Sequence, residues 1–403
     1  MSSKVVLSEV ITDISAGPFG SNLKVACFVD KGFPIIDGAN LKGYKVTDNL
    51  TKFVTEEKAR SLHRSIAKRG EVVVTISGTL GQIAYIPDNS EYSEYLCSQR
   101  QFRVAFDPTR VYVPYLVFYF HTREGQGKIL SFANQTGVPA LAQPTKNFQN
   151  IEIDLPDLAT QRRIANYGEI LLKKIELNSQ INDYLAELLD SLWIKACTEG
   201  RECLLSEVAV TLSGGTPKTN VPEYWKEGTI PFFSPKDVGN PYALETEKRV
   251  TELGVENCNS ALYPVNTVFL TARGTVGKVS IAGVPMAMNQ SCFAFYGIGI
   301  EQSAVYQVIK SAVRSLKAKA NGATFAAINT RDLKIEEVTI PCEEGLERYQ
   351  NVARGIHAFM LSNTKENLQL AELRDTLLPK LMSGEINVSK VDVMQLNNHL
   401  SGR

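Results

Sequence analysis

Leu185-Ala186-Glu187-Leu188-Leu189-Asp190-Ser191-Leu192 returns 185 residues later as Leu370-Ala371-Glu372-Leu373-Arg374-Asp375-Thr376-Leu377. The register holds backwards without a gap: Asn182 matches Asn367, Asn178 matches Asn363, Pro156 matches Pro341, Thr145 matches Thr330 and Gly137 matches Gly322. A period of this length is far too long for a solenoid unit and reads as a duplicated domain with its connector. The front of each half repeats more loosely. Ser8-Glu9-Val10 is echoed by Ser206-Glu207-Val208, Thr75-Ile76-Ser77-Gly78-Thr79-Leu80-Gly81 by Thr271-Ala272-Arg273-Gly274-Thr275-Val276-Gly277, and Gln99 and Phe102 by Gln290 and Phe293. The offsets drift through 198, 196 and 191, so the front parts have gained and lost residues while the rear parts have kept their length.

The repeated octapeptide lies in a segment of helical spacing. Ile164, Tyr167, Leu171, Ile175, Ile181, Leu185, Leu188 and Leu192 recur at helical intervals, with only Gly168 to interrupt. A helix of about 38 residues would be about 57 Å long, a length that suggests a coiled coil. With Ile164 at heptad position a, the next a positions are Leu171, Asn178, Leu185 and Leu192; in the second copy they are Tyr349, Ile356, Asn363, Leu370 and Leu377. Both helices thus carry an asparagine at the middle a position. A buried asparagine costs stability and penalises wrong registers, because its amide must find a partner. The spacing predicts one antiparallel helix pair with Asn178 and Asn363 near its centre.

Ahead of each helix, short strand-like runs alternate with turns: Phe33-Pro34-Ile35-Ile36, Val72 to Ile76 and Phe102 to Phe106, then Pro231-Phe232-Phe233, Val268 to Thr271 and Phe293 to Tyr296. Pro114 to Phe120 is apolar throughout, and its periodicity fits a buried helix or a strand equally. The fold class is therefore α/β (α+β): two pseudo-symmetric mixed α/β domains, 1–156 and 199–341, joined by long helices at 157–198 and 342–385 that pack as an antiparallel coiled coil. A polar tail occupies 386–403.

At 403 residues and 44% apolar, the chain has material for two or more cores. It has no apolar run long enough for a membrane span and no signal pattern at its start. Seven scattered cysteines point to reduced thiols in a cytoplasm, and four lone histidines offer no metal spacing. Net charge is zero, which alone argues mildly against a nucleic-acid partner. The distribution says more. Lys310, Arg314, Lys317, Lys319 and Arg331 fall in an acid-free stretch between Glu301 and Asp332; Lys58, Arg60, His63, Arg64, Lys68 and Arg69 cluster before Glu71. Each run alone would read as a solvated helix face; a basic cluster in both halves weakens that reading.

Catalytic patterns are missing. Gly274 to Lys278 superficially suggests a phosphate loop, but the position where the loop must start with glycine is Ala272, and the twin Gly81 is followed by Gln82. The other reading is a tight turn between two strands, with glycines supplying positive φ. No nucleophile elbow, zinc-protease helix or dinucleotide fingerprint appears.

Two variable α/β units, each followed by a matched long helix, resemble the specificity subunit of type I restriction–modification enzymes. The resemblance covers nearly the whole chain. Ser206-Glu207-Val208 followed by Ser213-Gly214-Gly215-Thr216-Pro217 looks like the opening of a family target-recognition domain. Ile230-Pro231-Phe232-Phe233-Ser234-Pro235-Lys236-Asp237, Gly274-Thr275-Val276-Gly277 and Asn329 to Pro341 look like its later blocks. Strand, proline and helix recur in the first copy, before Gln161-Arg162-Arg163-Ile164. Ser15 to Gly20 and Asp37-Gly38-Ala39-Asn40 match more loosely.

The resemblance implies a cytoplasmic, non-catalytic subunit. Each domain would read one half of a split site on double-stranded DNA, and the helices would act as a ruler between the halves. Two adenine-methyltransferase subunits and then restriction (translocase–endonuclease) subunits would be its partners. S-adenosylmethionine, Mg2+ and ATP would bind those partners, not this chain. Sequence reading needs side chains at base edges on a frame held by phosphate contacts. The candidates are Arg273, Thr275 and Lys278 at the turn and Lys317 and Lys319 in the basic stretch. Lys68, Arg69, Arg100 and Arg103 are their first-half counterparts. Gln99 and Gln290 could read adenine edges bidentately or simply bond inside a hairpin.

Two other classes compete. A protein–protein adaptor with two ligand domains on a coiled-coil spacer would explain the repeat and the neutral charge, and would show no salt-dependent DNA affinity. A catalytic protein with a site assembled between the halves is disfavoured, because no nucleophile–base or metal cluster recurs in both copies.

Overall fold

The computed structural model describes residues 3–134, 138–319 and 327–390; the matched glycines Gly137 and Gly322 and the tail from 391 onward lie outside the described residues. The chain divides into two compact units, Met1–Lys173 with Ala371–Arg403 and Lys174–Leu370. The division passes through both long helices, Leu158–Ala196 and Glu343–Met382, so each unit contains a stretch of both.

In the first unit, an antiparallel sheet runs in the order Ile11–Ala16, Gln101–Phe106, Val72–Thr75, Ile83–Tyr85. Beside it lies a mixed sheet ordered Phe28–Val29, Phe53–Val54, Phe33–Ile36, Glu94–Cys97, Ile66–Lys68, in which Ile35 pairs in parallel with Leu96. The apolar run after Pro114 is a helix, Val113–His121, with Pro114 in its first turn, where a missing N–H costs nothing, and with Pro114 to Phe120 all buried. Burial all round is why periodicity left this segment open: no polar face marks the turns. Phe102, Val104 and Leu116 share a core with Ile164 and Tyr167 of the first long helix and Leu378 and Leu381 of the second.

The second unit repeats the pattern with Ala209–Ser213, Cys292–Gly297, Val268–Thr271, Val279–Ala282 and Tyr242–Ala243 in one sheet, and Arg249–Val250, Ile230–Phe233 and Ala287–Met288 in the other. Here too the second sheet has a parallel pair, Phe232 with Ala287, and the first sheet gains another, Tyr242 with Ile281. Helix Gln302–Lys319 buries Val305, Ile309 and Val313 against Val268, Leu270 and Phe295, in a core that also takes Leu189, Trp193, Tyr349 and Met360 from the long helices.

Each long helix starts at a place fixed by a strand pair. The first strand of each unit lies antiparallel to the strand that leads into the helix: Ser3 opposite Leu155 and Val6 opposite Glu152, then Arg201 opposite Ile340 and Leu204 opposite Glu337. Pro156 and Pro341 follow these strands. Asp157 then accepts the Thr160 amide at 2.9 Å, satisfying one of the unpaired donors of the first helix turn.

Within the second unit the helices run antiparallel. Asn178 meets Glu366 and Asn367, Asn182 meets Met360 to Thr364, and Trp193 packs edge-on to Tyr349 with ring centroids 5.0 Å apart. Asn178 and Asn363 do lie in this seam, both buried, but they do not bond each other. Asn178 Nδ2 donates to Asn367 Oδ1 at 2.9 Å, and Asn363 Nδ2 donates to Asn182 Oδ1 at 3.0 Å. The repeat offset of 185 turns one bond into the other, since 178 maps to 363 and 182 to 367. Each asparagine expected at the seam therefore recruits the second asparagine of the opposite helix, one turn further on. Heptad positions Leu185 and Leu192 are only partly buried, and Asn182, Leu189 and Trp193 take the centre instead.

The octapeptide anchors each unit through the same aspartate. Asp190 holds Lys310 at 2.6 Å in the second unit; Asp375 accepts the Tyr44 hydroxyl at 3.4 Å in the first, where Arg374 lies over the Tyr44 ring at 4.8 Å.

Asn363→Ala leaves Asn182 Oδ1 without this donor in a buried seam. Urea unfolding of the full chain should show a loss of about 1–3 kcal/mol, and a loss below about 0.5 kcal/mol would remove the seam as a register device. His357, the repeat counterpart of Leu172, is buried; Nδ1 meets the Tyr242 hydroxyl at 3.1 Å and Nε2 has no partner among the described residues. Burial, aided by the Lys310 charge, lowers its pKa from 6.5 to about 4. Above 6.5 both folded and unfolded chains keep it neutral; between 6.5 and 4 only the unfolded chain takes the proton. Stability is thus lost as pH falls through that window, by about 3 kcal/mol in all. The wild-type curve should fall relative to His357→Leu across this window, and parallel curves would refute the assignment.

Candidate nucleic-acid interface

The same turn stands at the same place in both units. Val72–Thr75 and Ile83–Tyr85 are joined through Gly78 and Gly81, at φ +95° and +84°; Val268–Thr271 and Val279–Ala282 are joined through Gly274 and Gly277, at +79° and +76°. All four lie in the left-handed region that a side chain disfavours. This is the turn reading of Gly274 to Lys278, and no phosphate loop. A buried threonine clamps each turn from inside. Thr75 Oγ1 donates to Gln82 Oε1 at 3.0 Å, and Thr271 Oγ1 accepts the Lys278 amide at 3.0 Å.

A second loop is sewn down beside each turn. Gly17 donates its amide to Gln101 O at 2.7 Å, and a Cβ on Gly17 would stand 1.9 Å from Ser98 O. Gly214 does the same work in the other unit, where a Cβ would stand 2.1 Å from Asn289 O. Such approach requires glycine. In the first unit turn and loop together border a concavity; in the second the loop borders one, whose wall the turn reaches at Pro235, the acceptor of the Thr275 hydroxyl. That of the first unit is about 620 Å³, lined by Lys52, Ser77, Thr79, Gln82, Gln99 and Arg100. That of the second is about 400 Å³, lined by Thr216, Trp225, Lys236, Asp237, Lys248 and Asn289.

Most of the candidate side chains are already engaged. Gln99 Nε2 donates to Leu23 O at 2.7 Å and so pins the loop; Gln290 Oε1 accepts from the Thr216 hydroxyl. Both glutamines bond inside their own units. Thr275 Oγ1 donates to Pro235 O at 3.2 Å. Arg69 holds Ser90 O at 2.6 Å, and Lys68 stands 3.7 Å from Glu94. Lys317 caps the turn at Gly277 O, 3.2 Å away, and Lys319 holds the buried carboxylate of Glu336 at 2.9 Å.

Arg103 is a correction. It is buried at the centre of an ion cluster, 2.5 Å from Asp13 and 3.2 Å from Glu71, with Nε donating to Arg64 O at 2.9 Å. Burial works against its charge, but the bond to Asp13 and the neighbouring Glu71 carboxylate outweigh that and keep the guanidinium charged. Burial likewise pushes the Glu71 carboxyl up, with Arg103 opposing. The cluster ties the strand Ile11–Ala16 to Gln101–Phe106 and to the turn at Glu71.

Of the candidate residues, three cations remain exposed with no ion pair or hydrogen bond from their side chains among the described residues: Arg100, Arg273 and Lys278. All three border the glycine turns. Other groups beside the concavities carry no local signal. Lys52 bonds Asp37 at 2.6 Å, Lys236 bonds Glu247 at 2.9 Å, and the Lys248 ammonium lies 5.8 Å from the centre of the Trp225 ring. Their partners lie 11 to 23 residues away in the chain, so no local spacing announces them. Among the described residues no group of three His, Cys, Asp or Glu is placed to hold a metal ion, and no helix is long and apolar enough to cross a membrane.

The sequence model of the type I restriction modification DNA specificity domain matches this chain twice, over residues 24–187 and 202–373. The specificity subunit of type I restriction enzyme MjaIX from Methanocaldococcus jannaschii is 30% identical over 172 residues, 40% of this chain and 39% of that one. That of the HindI enzyme from Haemophilus influenzae is 29% identical over 188 residues, 45% of this chain and 40% of the other. These matches span less than half the length of either relative. The crystal structure of a type I restriction-modification S subunit from M. genitalium is similar with a TM-score of 0.54 at 16% identity, covering 94% of this chain and 96% of that chain; this is a likeness of fold.

Arg103→Leu leaves Glu71 buried without its cation and should lower the unfolding free energy by about 3 kcal/mol. Arg100→Ser, at an exposed side chain, should stay within about 0.5 kcal/mol of wild type. Equal stability of the two variants in urea would overturn the division between structural and free cations.

Proposed function

We propose that this chain, which belongs to the family of type I restriction modification DNA specificity domains, is the sequence-reading subunit of a restriction–modification complex and is not itself an enzyme. The observation that carries the proposal is the double match: one specificity domain in each half of the duplication, each running on into its long helix. Each unit reads one half of a split site on double-stranded DNA, from the surface around its glycine turn. The free cations Arg100, Arg273 and Lys278 at those turns support this placing, since positioning on DNA begins with phosphate contacts. The concavities beside the turns hold different side chains in the two units, as two different half-sites require.

The long helices set the spacing of the half-sites and bind partners. Leu188 and its repeat counterpart Leu373 are large apolar residues left 45% and 38% exposed. Exposed apolar groups at repeated helix positions suit docking of two copies of a partner. On this reading the partners are two adenine-methyltransferase subunits, joined by restriction subunits. S-adenosylmethionine, Mg2+ and ATP sit on those partners. All seven cysteines are free thiols, which fits a reducing cytoplasm. The zero net charge fits a subunit whose partners supply part of the phosphate clamp.

The test is single-molecule sequencing of adenine methylation in cells with and without this gene, the methyltransferase left intact. Loss of a split, two-part methylation motif on deletion is the expected result. An unchanged methylome, followed by no salt-dependent binding of the purified complex to duplex DNA, would refute the proposal in favour of an adaptor.

A further inference from the structure

Each glycine turn carries one arginine and one serine at its base, and the two units carry them on exchanged strands. In the first unit Ser77 precedes Gly78, and Arg100 stands on the neighbouring segment, whose carbonyl accepts the Ile76 amide at 2.6 Å. In the second, Arg273 precedes Gly274, and Ser291 stands on the neighbouring segment, whose carbonyl accepts the Ala272 amide at 2.7 Å. The offsets of 196 and 191 make Ser77 the counterpart of Arg273 and Arg100 the counterpart of Ser291. The pair is Ser/Arg in one unit and Arg/Ser in the other.

The exchange leaves one guanidinium beside the first glycine of each turn. A Cβ built on Gly78 would lie 3.8 Å from Arg100 Nη1, so the Arg100 guanidinium reaches that glycine from across the strand; Arg273 is its chain neighbour. Both side chains are exposed and lack acceptors among the described residues. A guanidinium offers five donors and a permanent charge. Had the second unit kept an arginine at 291 as well, or the first unit one at 77, a turn would hold two guanidinium groups. Neither does.

We propose that each turn presents a single guanidinium to one phosphate of the DNA backbone, and that the charge at this place is kept whichever strand supplies it. The inference rests on the DNA-reading function above. Phosphate is favoured over a base edge by the exchange itself. Two strands deliver the group from different directions, which a charge tolerates and a bidentate base contact does not. This makes Arg100 and Arg273 positioning residues for their half-sites, with sequence reading left to the concavity beside each turn.

The test uses the full chain assembled with its methyltransferase partner and two duplexes of about 40 base pairs. One carries the split motif found by methylation sequencing; the other is scrambled. Binding is measured against salt concentration for Arg100→Ser, Arg273→Ser, and the exchanges S77R/R100S and R273S/S291R, with thermal melts to verify folding. Each single variant should weaken both duplexes about five- to tenfold and lower the salt slope by about 1. Each exchange variant should regain most of both. Unchanged affinity and slope in the single variants would overturn the phosphate contact. A loss confined to the motif duplex, with one base position relaxed in the methylome, would replace it with base reading. Failure of both exchange variants to recover would overturn the claim that place outranks strand. A wild-type complex that binds neither duplex would instead refute the DNA-reading function itself.

Discussion

Two amide–amide hydrogen bonds set the register on which the helix pair depends. Asn178 with Asn367 and Asn363 with Asn182 are one bond written twice, at 2.9 and 3.0 Å, supported by Glu366, Thr364 and Ser179 and flanked by Leu189, Trp193, Tyr349 and Met360. Slide one helix by a heptad and Asn178 faces Met360 or Arg374, while Asn182 faces Ile356 or Leu370. A slip by a whole heptad sets apolar side chains against apolar ones again along much of the seam. The amides would lose their partners, and each buried donor or acceptor left open costs about 1–3 kcal/mol. Dispersion and burial thus supply the attraction between the helices, and the asparagines supply its uniqueness. Because Leu189, Trp193, Tyr349 and Met360 enter the core of one unit and Ile164, Tyr167, Leu378 and Leu381 that of the other, a slip would also misplace side chains in both cores.

The charges obey a different rule from the one composition suggests. A cation in a sequence states that a charge exists, and says nothing of what neutralises it. Arg103 lies between Phe102 and Val104, whose alternation puts it on the face away from the main core, and that face reads as solvent. It is covered instead. Asp13, from the strand Ile11–Ala16, and Glu71, from the turn before Val72–Thr75, close over the guanidinium, so one of the DNA-contact candidates binds the sheet together. Lys319 is a similar case, because the carboxylate it meets, Glu336, is itself buried. Only tertiary structure separates such groups from Arg100, Arg273 and Lys278.

The repeat, the two long helices, the strands feeding the glycine turns and the asparagines at the seam were legible in the sequence, each through a local period or a residue type with one conformational use. The bonding partners at the seam were not, because a heptad assignment places Asn182 and Asn367 off the a positions; the structure moves the seam onto them by half a heptad. The smaller sheets escaped as well. Strands of two residues, such as Phe28–Val29 and Arg249–Val250, contain no period to detect. The concavities were illegible for the same reason that they suit recognition. Their walls come from loops whose lengths differ between the halves, and a loop held by one glutamine or one threonine can change its other residues freely.

That asymmetry of constraint accounts for how the two halves diverged. Gly78, Gly81, Gly274 and Gly277 occupy backbone conformations closed to other residues, and Thr75 and Thr271 are buried against the turns they clamp. Replacing any of them strains or unpairs the frame. An exposed arginine has no such ties, and exposed charge pairs contribute at most about 1 kcal/mol to stability. Folding therefore exerts almost no hold on where Arg100 or Arg273 sits, and if folding were the only demand on them, their positions would have drifted independently. They have not. One guanidinium borders each turn, and it has crossed from one strand to the other without being lost or doubled. A feature that folding does not require and divergence has nevertheless preserved points to a demand from outside the chain, and at an exposed, acceptor-poor turn that demand is for an anion.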